Sequence, residues 1–191
     1  MRRGLIMRAN VAKTLVRLVA ACVWLAFLVP SAMAADGRAK FIAENHCQIT
    51  HRLFMTYLQR QKLDRFVVAS VKGGNQQYVQ CLLLEDNKQM LCEAASGFYG
   101  VKKGEARDEV RMSNLAILEA AGFDTDSSEG NFQKLLVILK PGEDLDRVAD
   151  MMLGLLYDLF GARRGDQLTY VAPMAMDLSD RSRCPAASEL P

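Results

Sequence analysis

The stretch "QYVQCLLLEDNKQMLCEAAS", Gln77–Ser96, decides how the chain folds. Two largely apolar runs flank Asp86-Asn87, and Asp and Asn tolerate the positive φ angles of a tight hairpin turn. A two-residue turn there sets Cys81 against Cys92, Leu83 against Met90 and Val79 against Ala94. Side chains alternate across a strand, so these six residues share one apolar face. The other face carries Tyr78, Gln80, Leu82 and Leu84 opposite Gln89, Leu91, Glu93 and Ala95. That second face is mixed but still quite apolar.

Before the hairpin, "RFVVASVK" at 65–72 is β-branched, short and bounded by Gly73-Gly74, which predicts a strand. From Lys40 to about Gln61 the spacing is helical. Ile42, Ile49, Leu53 and Tyr57 recur on one stripe, and Phe41 and Leu58 widen it. After the hairpin, "GVKKGEARDEV" at 100–110 is a polar loop. Ser113–Ala121 reads as a helix with Leu115 and Leu118 inward, ended by Gly122. "NFQKLLVILK" at 131–140 has apolar residues on both faces and predicts a buried central strand, stopped by Pro141-Gly142. Asp144–Phe160 is the clearest helix. Leu145, Val148, Ala149, Met152, Leu155, Leu156 and Leu159 form its stripe, and Gly161 caps it. "QLTYVAP" at 167–173 predicts a last short strand, and the tail from about 175 to 191 is irregular. Short turns between consecutive strands imply an antiparallel sheet with helices packed on one face, an α+β fold.

The N-terminus carries Arg2, Arg3, Arg8, Lys13 and Arg17 and no acid before Asp36. The uncharged run "LVAACVWLAFLVPSAMAA" follows, and Ala32-Met33-Ala34 fits a cleavage site. Basic start, apolar stretch and small residues together predict a secretory signal peptide over residues 1–35, cleaved near Ala34 or Ala35. An uncleaved leader would instead anchor the chain in a membrane. Taking the leader's 5 basic residues from 24 leaves 19 against 22 acidic residues, a net −3. No basic cluster remains to track a phosphate backbone, which argues against nucleic acid as a partner. Residues 36–191 fit one domain of roughly 155 residues, large enough for its own core. The setting expected is periplasmic or secreted.

The motifs of common chemistries are missing. There is no G-x-S-x-G, C-x-x-C, P-loop or dinucleotide fingerprint. No cofactor and no catalytic residue is predicted, and the expected protein is not an enzyme. Two stretches carry metal-ligand types. Asp124, Asp126 and Ser128 occupy positions 1, 3 and 5 of a calcium loop, but Glu129 stands where the glycine belongs, Gly130 comes one late, and Leu135 replaces the bidentate glutamate. The expected structure is a solvated turn between Gly122 and Asn131. Cys47 and His51, four apart on a helix, share a face, but zinc needs three or four ligands. They read as a thiol or half-cystine beside surface imidazoles.

Cys22 lies in the leader, leaving Cys47, Cys81, Cys92 and Cys184, an even number that suits disulfides in an exported chain. A two-residue turn would make Cys81 and Cys92 a hydrogen-bonded pair, whose side chains diverge. A bridge there would be strained, with buried free thiols as the alternative. Cys47 with Cys184 is the preferred bridge, because it would pin the tail.

Several stretches together resemble the YbjN-like proteins, grouped with type III secretion chaperones as TY-Chap domains. They are "LCEAASGFYG" at 91–100, "LAILEAAGF" at 115–123, "SSEGNFQKLLVIL" at 127–139 and "DLDRVADMMLGLLYDLFG" at 144–161. Tyr78-Val79-Gln80, Cys92-Glu93-Ala94, Gly122-Phe123 and Asn131-Phe132 carry the similarity, which covers about residues 64–161. It implies an antiparallel sheet with helices on one face and a binding role, since the secretion chaperones hold extended segments of partners. The leader departs from that pattern, because those chaperones are cytosolic. The expectation is an exported protein- or peptide-binding domain. Its leftover sheet residues Tyr78, Leu82, Leu84 and Leu91 would be covered by a partner or a second copy. The alternatives are a small-ligand sensor, with a pocket between helix and sheet, and a thiol-dependent enzyme using Cys184 or Cys47.

Overall fold

The computed structural model describes residues 29–59, 63–74, 76–84, 87–99, 112–128 and 130–175. Most of the predicted leader, the polar loop at 100–110 and Cys184 lie outside them. The elements run α1 (Val29–Leu58), β1 (Phe66–Val71), β2 (Tyr78–Leu83), β3 (Gln89–Ala94), α2 (Met112–Ala120), β4 (Phe132–Val137), α3 (Pro141–Asp158) and β5 (Leu168–Val171). The chain divides into two units, Met1–Ala39 and Lys40–Pro191, and the second holds the sheet. No described helix is long and apolar enough to cross a membrane.

The five strands form one antiparallel sheet in the order β4-β3-β2-β1-β5. Its inward face is the one the hairpin reading assigned: Val79, Cys81, Leu83, Met90, Cys92 and Ala94 are all buried. Val67 and Ala69 of β1 continue it. Against them pack Phe41, Ile49, Leu53 and Phe54 of α1 and the stripe of α3 from Leu145 to Leu156 in one core cluster. The architecture is thus an α+β sheet with its helices on one face, as predicted.

Local chemistry sets the element ends. At the end of α2, Gly122 has a φ of 77°. Its N–H donates to the Glu119 carbonyl at 2.9 Å, and the Phe123 N–H donates to the Leu118 carbonyl at 2.9 Å. This is the paired-bond cap that a left-handed glycine permits, with the buried side chains of Leu118 and Phe123 in the places such a cap brings together. At the start of α3, Pro141 takes the first helical position rather than merely stopping β4. Asp144 reaches back, accepting the Leu139 N–H at 2.7 Å and the Lys140 N–H at 2.6 Å. Those backbone bonds, Lys140's first, with Arg147's guanidinium, outweigh burial and hold the Asp144 carboxyl below its ordinary pKa.

Four expectations need correction. The first helix is described from Val29, not from Lys40. Leu58 is 49% exposed and does not widen the buried stripe. That stripe instead holds polar Asn45, Gln48, Arg52 and Thr56, which masked its width in the sequence. The buried Arg52 guanidinium donates to the Gln48 carbonyl at 2.8 Å and stacks 4.5 Å from the centroid of Tyr170, joining α1 to β5. The strand at 131–140 is an edge strand, not a central one. Its second apolar face is exposed: Leu135 at 55% and Val137 at 58%.

The fourth correction concerns the hairpin. The predicted register holds, with Cys81 opposite Cys92 and Leu83 opposite Met90. The turn is longer than two residues. Leu84 N–H donates to the Gln89 carbonyl at 3.0 Å, Asn87 N–H donates to the Leu84 carbonyl at 3.1 Å, and Asn87 alone of the described turn residues has positive φ, at 59°. Leu84 and Gln89 therefore close the ladder as a hydrogen-bonded pair. Counting inward, Cys81 and Cys92 become a non-hydrogen-bonded pair, whose side chains lie closer. They are joined by a disulfide across a Cα separation of 4.0 Å. The expected strain rested on the wrong phase of the ladder. Cys47 is also disulfide-bonded, and Cys184, its predicted partner, lies outside the described residues.

Candidate functional site

The strand registers align the outward residues of the sheet into rows. One row is Phe66, Leu82, Leu91 and Leu135, running across β1, β2, β3 and β4. Beyond it towards the hairpin tip, Leu84 opposes Gln89, and Gln89 opposes Val137. Leu82, Leu135 and Val137 are exposed, and Phe66, Leu84 and Leu91 are half-buried. These six residues make one apolar area that ends at the free side of β4.

The next row is Val68, Gln80, Glu93 and Gln133, with Val171 beyond Val68. Its polar members satisfy one another. Gln80 donates to Glu93 Oε2, and Gln133 Nε2 donates to Glu93 Oε1 at 3.0 Å. A further row holds Tyr78, Ser70 and Thr169, and the two hydroxyls of Ser70 and Thr169 lie 2.7 Å apart. The predicted surface residues Leu82, Leu84 and Leu91 therefore stand together. Tyr78 stands apart from them, behind the Gln80–Glu93 row. Its hydroxyl accepts a hydrogen bond from Asn131 Nδ2 at 2.9 Å.

The sequence reading missed Phe66, Leu135 and Val137. Taking 131–140 for a central strand assigned both faces of β4 to the core. Lys134 was the signal that pointed elsewhere, because a lysine within a strand is characteristic of an edge. Its ammonium donates to the Ala121 carbonyl at the end of α2.

The edge itself has a defined polarity. Ile138 N–H donates to the Lys88 carbonyl at 2.7 Å, which fixes the pairs that β4 makes with β3. By alternation, the N–H and C=O groups of Gln133, Leu135 and Val137 turn away from β3. Asp124 N–H takes the Gln133 carbonyl at 2.8 Å in a lone antiparallel bridge. Among the described residues no strand covers the Leu135–Val137 part of this edge.

Neither metal reading gathers a site. Asp124 Oδ1 accepts the Asp126 N–H at 3.0 Å, and Asp126 Oδ1 accepts the Ser128 N–H at 2.9 Å. These are successive local turns that use the carboxylates internally. The Ser128 backbone N–H, with a smaller share from its hydroxyl, holds the Asp126 carboxyl below its ordinary pKa. Cys47, being in a disulfide, offers no thiolate. His51 is not a surface imidazole: both its ring nitrogens are buried and make no hydrogen bond. Burial, then the charge of Arg52, lowers its pKa. Among the described residues no group of three or more His, Cys, Asp or Glu is placed to hold a metal ion.

Comparison with known proteins returns nothing: no family model, no curated protein and no solved structure matches this chain.

Proposed function

We propose that this chain is a non-enzymatic, chaperone-like protein- or peptide-binding domain of the bacterial envelope, exported by its leader, whose partner lies on the open face of the sheet. The observation that carries this reading is the row Phe66–Leu82–Leu91–Leu135 with Val137 beside it, apolar and partly exposed up to the edge of β4. Contiguous exposed apolar area of this kind marks interaction sites in soluble proteins. The edge groups of Leu135 and Val137 would add main-chain hydrogen bonds to an extended partner segment, and alternate side chains would meet the leucine row. The resemblance to TY-Chap domains points the same way. A second copy is the other partner this face suits.

The test is fluorescence-polarisation binding of a library of extended apolar peptides to the full protein, beside Leu82→Asp and Leu135→Asp variants. Peptides should bind the parent and lose at least tenfold in affinity on the variants, while melting temperatures stay within a few degrees. Binding that ignores both substitutions would place the partner elsewhere. Absence of any binding, with a monomer by light scattering, would end the proposal.

A further inference from the structure

On the opposite side of the sheet, between α2, β4 and α3, lies a cavity of about 530 Å³. Small-molecule sites occupy about 300–1,000 Å³ and are mostly apolar with a few placed polar groups. Leu136 of β4, Val148 and Met151 of α3 and Ala120 of α2 give this one its apolar lining, and the short side chain of Ala120 leaves it room. Three charged groups also line it: Lys134, Arg147 and Asp144. Asp144 is already spent, since its carboxylate accepts two backbone N–H groups and the Arg147 guanidinium. Lys134 gives one of its three donors to the Ala121 carbonyl. Arg147 is a side chain 69% exposed and has donors beyond the one on Asp144. Two cations against one neutralised acid leave the lining net positive.

We infer that this cavity binds a small amphiphilic carboxylate, an acyl chain of medium length held by the apolar lining with its carboxylate between Lys134 and Arg147. The chain supplies affinity through burial of its methylenes, and the paired cations select the anion over the corresponding alcohol. Val137 borders both this cavity and the open face, but no other residue is shared, so substitutions at Lys134, Arg147 and Ala120 test the cavity independently of the partner-binding reading.

Isothermal titration of the full protein with decanoate tests it, with decanol (chain without charge) and acetate (charge without chain) alongside. Saturable one-to-one binding of decanoate is expected, at least tenfold tighter than decanol, with no measurable acetate binding. Lys134→Met with Arg147→Gln should remove the preference over decanol. Ala120→Phe should weaken both ligands by filling the cavity, and Leu82→Asp on the open face should change neither. Circular dichroism establishes that each variant is folded. An unfolded Ala120→Phe leaves the double-charge variant to decide. Decanoate binding no tighter than decanol, binding unaffected by the charge substitutions, binding lost with Leu82→Asp, or no saturable binding would each overturn the inference.

Discussion

Asn131 donates its Nδ2 hydrogen to the Tyr78 hydroxyl at 2.9 Å while its Oδ1 accepts the Ser96 N–H at 3.3 Å. One buried amide thus ties the start of β2, the segment after β3 and the start of β4. Ser96 Oγ adds a bond to the Gly130 carbonyl at 2.7 Å. A Cβ at Gly130 would meet the Tyr99 hydroxyl at 2.9 Å, the outer end of an exposed side chain that can turn away. Asn131→Leu strands the Ser96 N–H, and a buried unsatisfied group costs about 1–3 kcal/mol. Tyr78→Phe should cost less, about 1 kcal/mol. Urea denaturation at neutral pH measures both. Equal, negligible losses would mean that water satisfies these groups and that the amide is not a structural node.

Asn87 does a similar job at the hairpin tip. Its Oδ1 accepts from Arg65, its Nδ2 donates to the Tyr57 carbonyl at 3.1 Å, and its backbone is left-handed. Two substitutions separate these roles. Asn87→Gly keeps the backbone and loses the side-chain bonds, whereas Asn87→Ala loses both. The alanine variant should be the less stable, by about 1 kcal/mol, the usual cost of placing a Cβ in that region. If glycine proves as damaging as alanine, the side-chain bonds carry the whole effect.

The Cys81–Cys92 bridge closes a loop with a sequence separation of 11. In the chain-entropy account a loop of that size stabilises by about 2–3 kcal/mol. The double substitution Cys81→Ala and Cys92→Ala should lower the unfolding free energy from urea denaturation by at least that amount, since it also empties buried volume. Intact mass after alkylation, with and without reduction, checks the bridge directly. Cys81 and Cys92 should stay unlabelled until reduced, and labelling of both in the unreduced, unfolded chain would remove the bridge from the account.

Acid should weaken the fold through two groups. The His51 pKa is lowered from 6.5, so the unfolded chain binds the proton more readily. Stability from this group is full above 6.5 and falls as pH drops towards the lowered value. Asp144 is lowered from 3.8, so its contribution is present above 3.8 and is lost as pH falls through the folded value. His51→Gln should flatten the stability profile between pH 7 and 5.5. Asp144→Asn should destabilise at neutral pH and flatten the profile below pH 4. Profiles parallel to the parent's would show that neither group links protons to folding.

How much of this was legible depended on which level of structure was asked. Alternation in Val79, Cys81 and Leu83 fixed the register of β2 on β3, because a one-residue slip would have turned every apolar side chain to the wrong face. The phase of the hydrogen bonds was not legible. Symmetric two- and four-residue loops give the same facing pairs but exchange bonded for non-bonded positions, and only Leu84 bonded to Gln89 decides between them. The stripe of α3 could be read because burial and spacing agree there. In α1 the buried positions of Asn45, Gln48 and Arg52 broke the apolar rhythm. On β4 the apolar outer face looked like core. Its exposure follows from the strand's place in the sheet order, which depends on distant pairings and not on local composition.

The bridge between Cys81 and Cys92 has a mechanical consequence as well. It staples two of the three inner strands, β2 and β3, to one another near their middle. A pull on the flanking chain that peeled these strands apart would stop at the staple, and the hairpin tip beyond it would bear no load. Leu82 and Leu91 sit next to the staple, on the other face of the same strands. A partner tugging on the leucine row would therefore pull against a covalent crosspiece and not against backbone hydrogen bonds alone. Reduction of that single bond would turn this part of the sheet from rigid to compliant without altering Leu82 or Leu91.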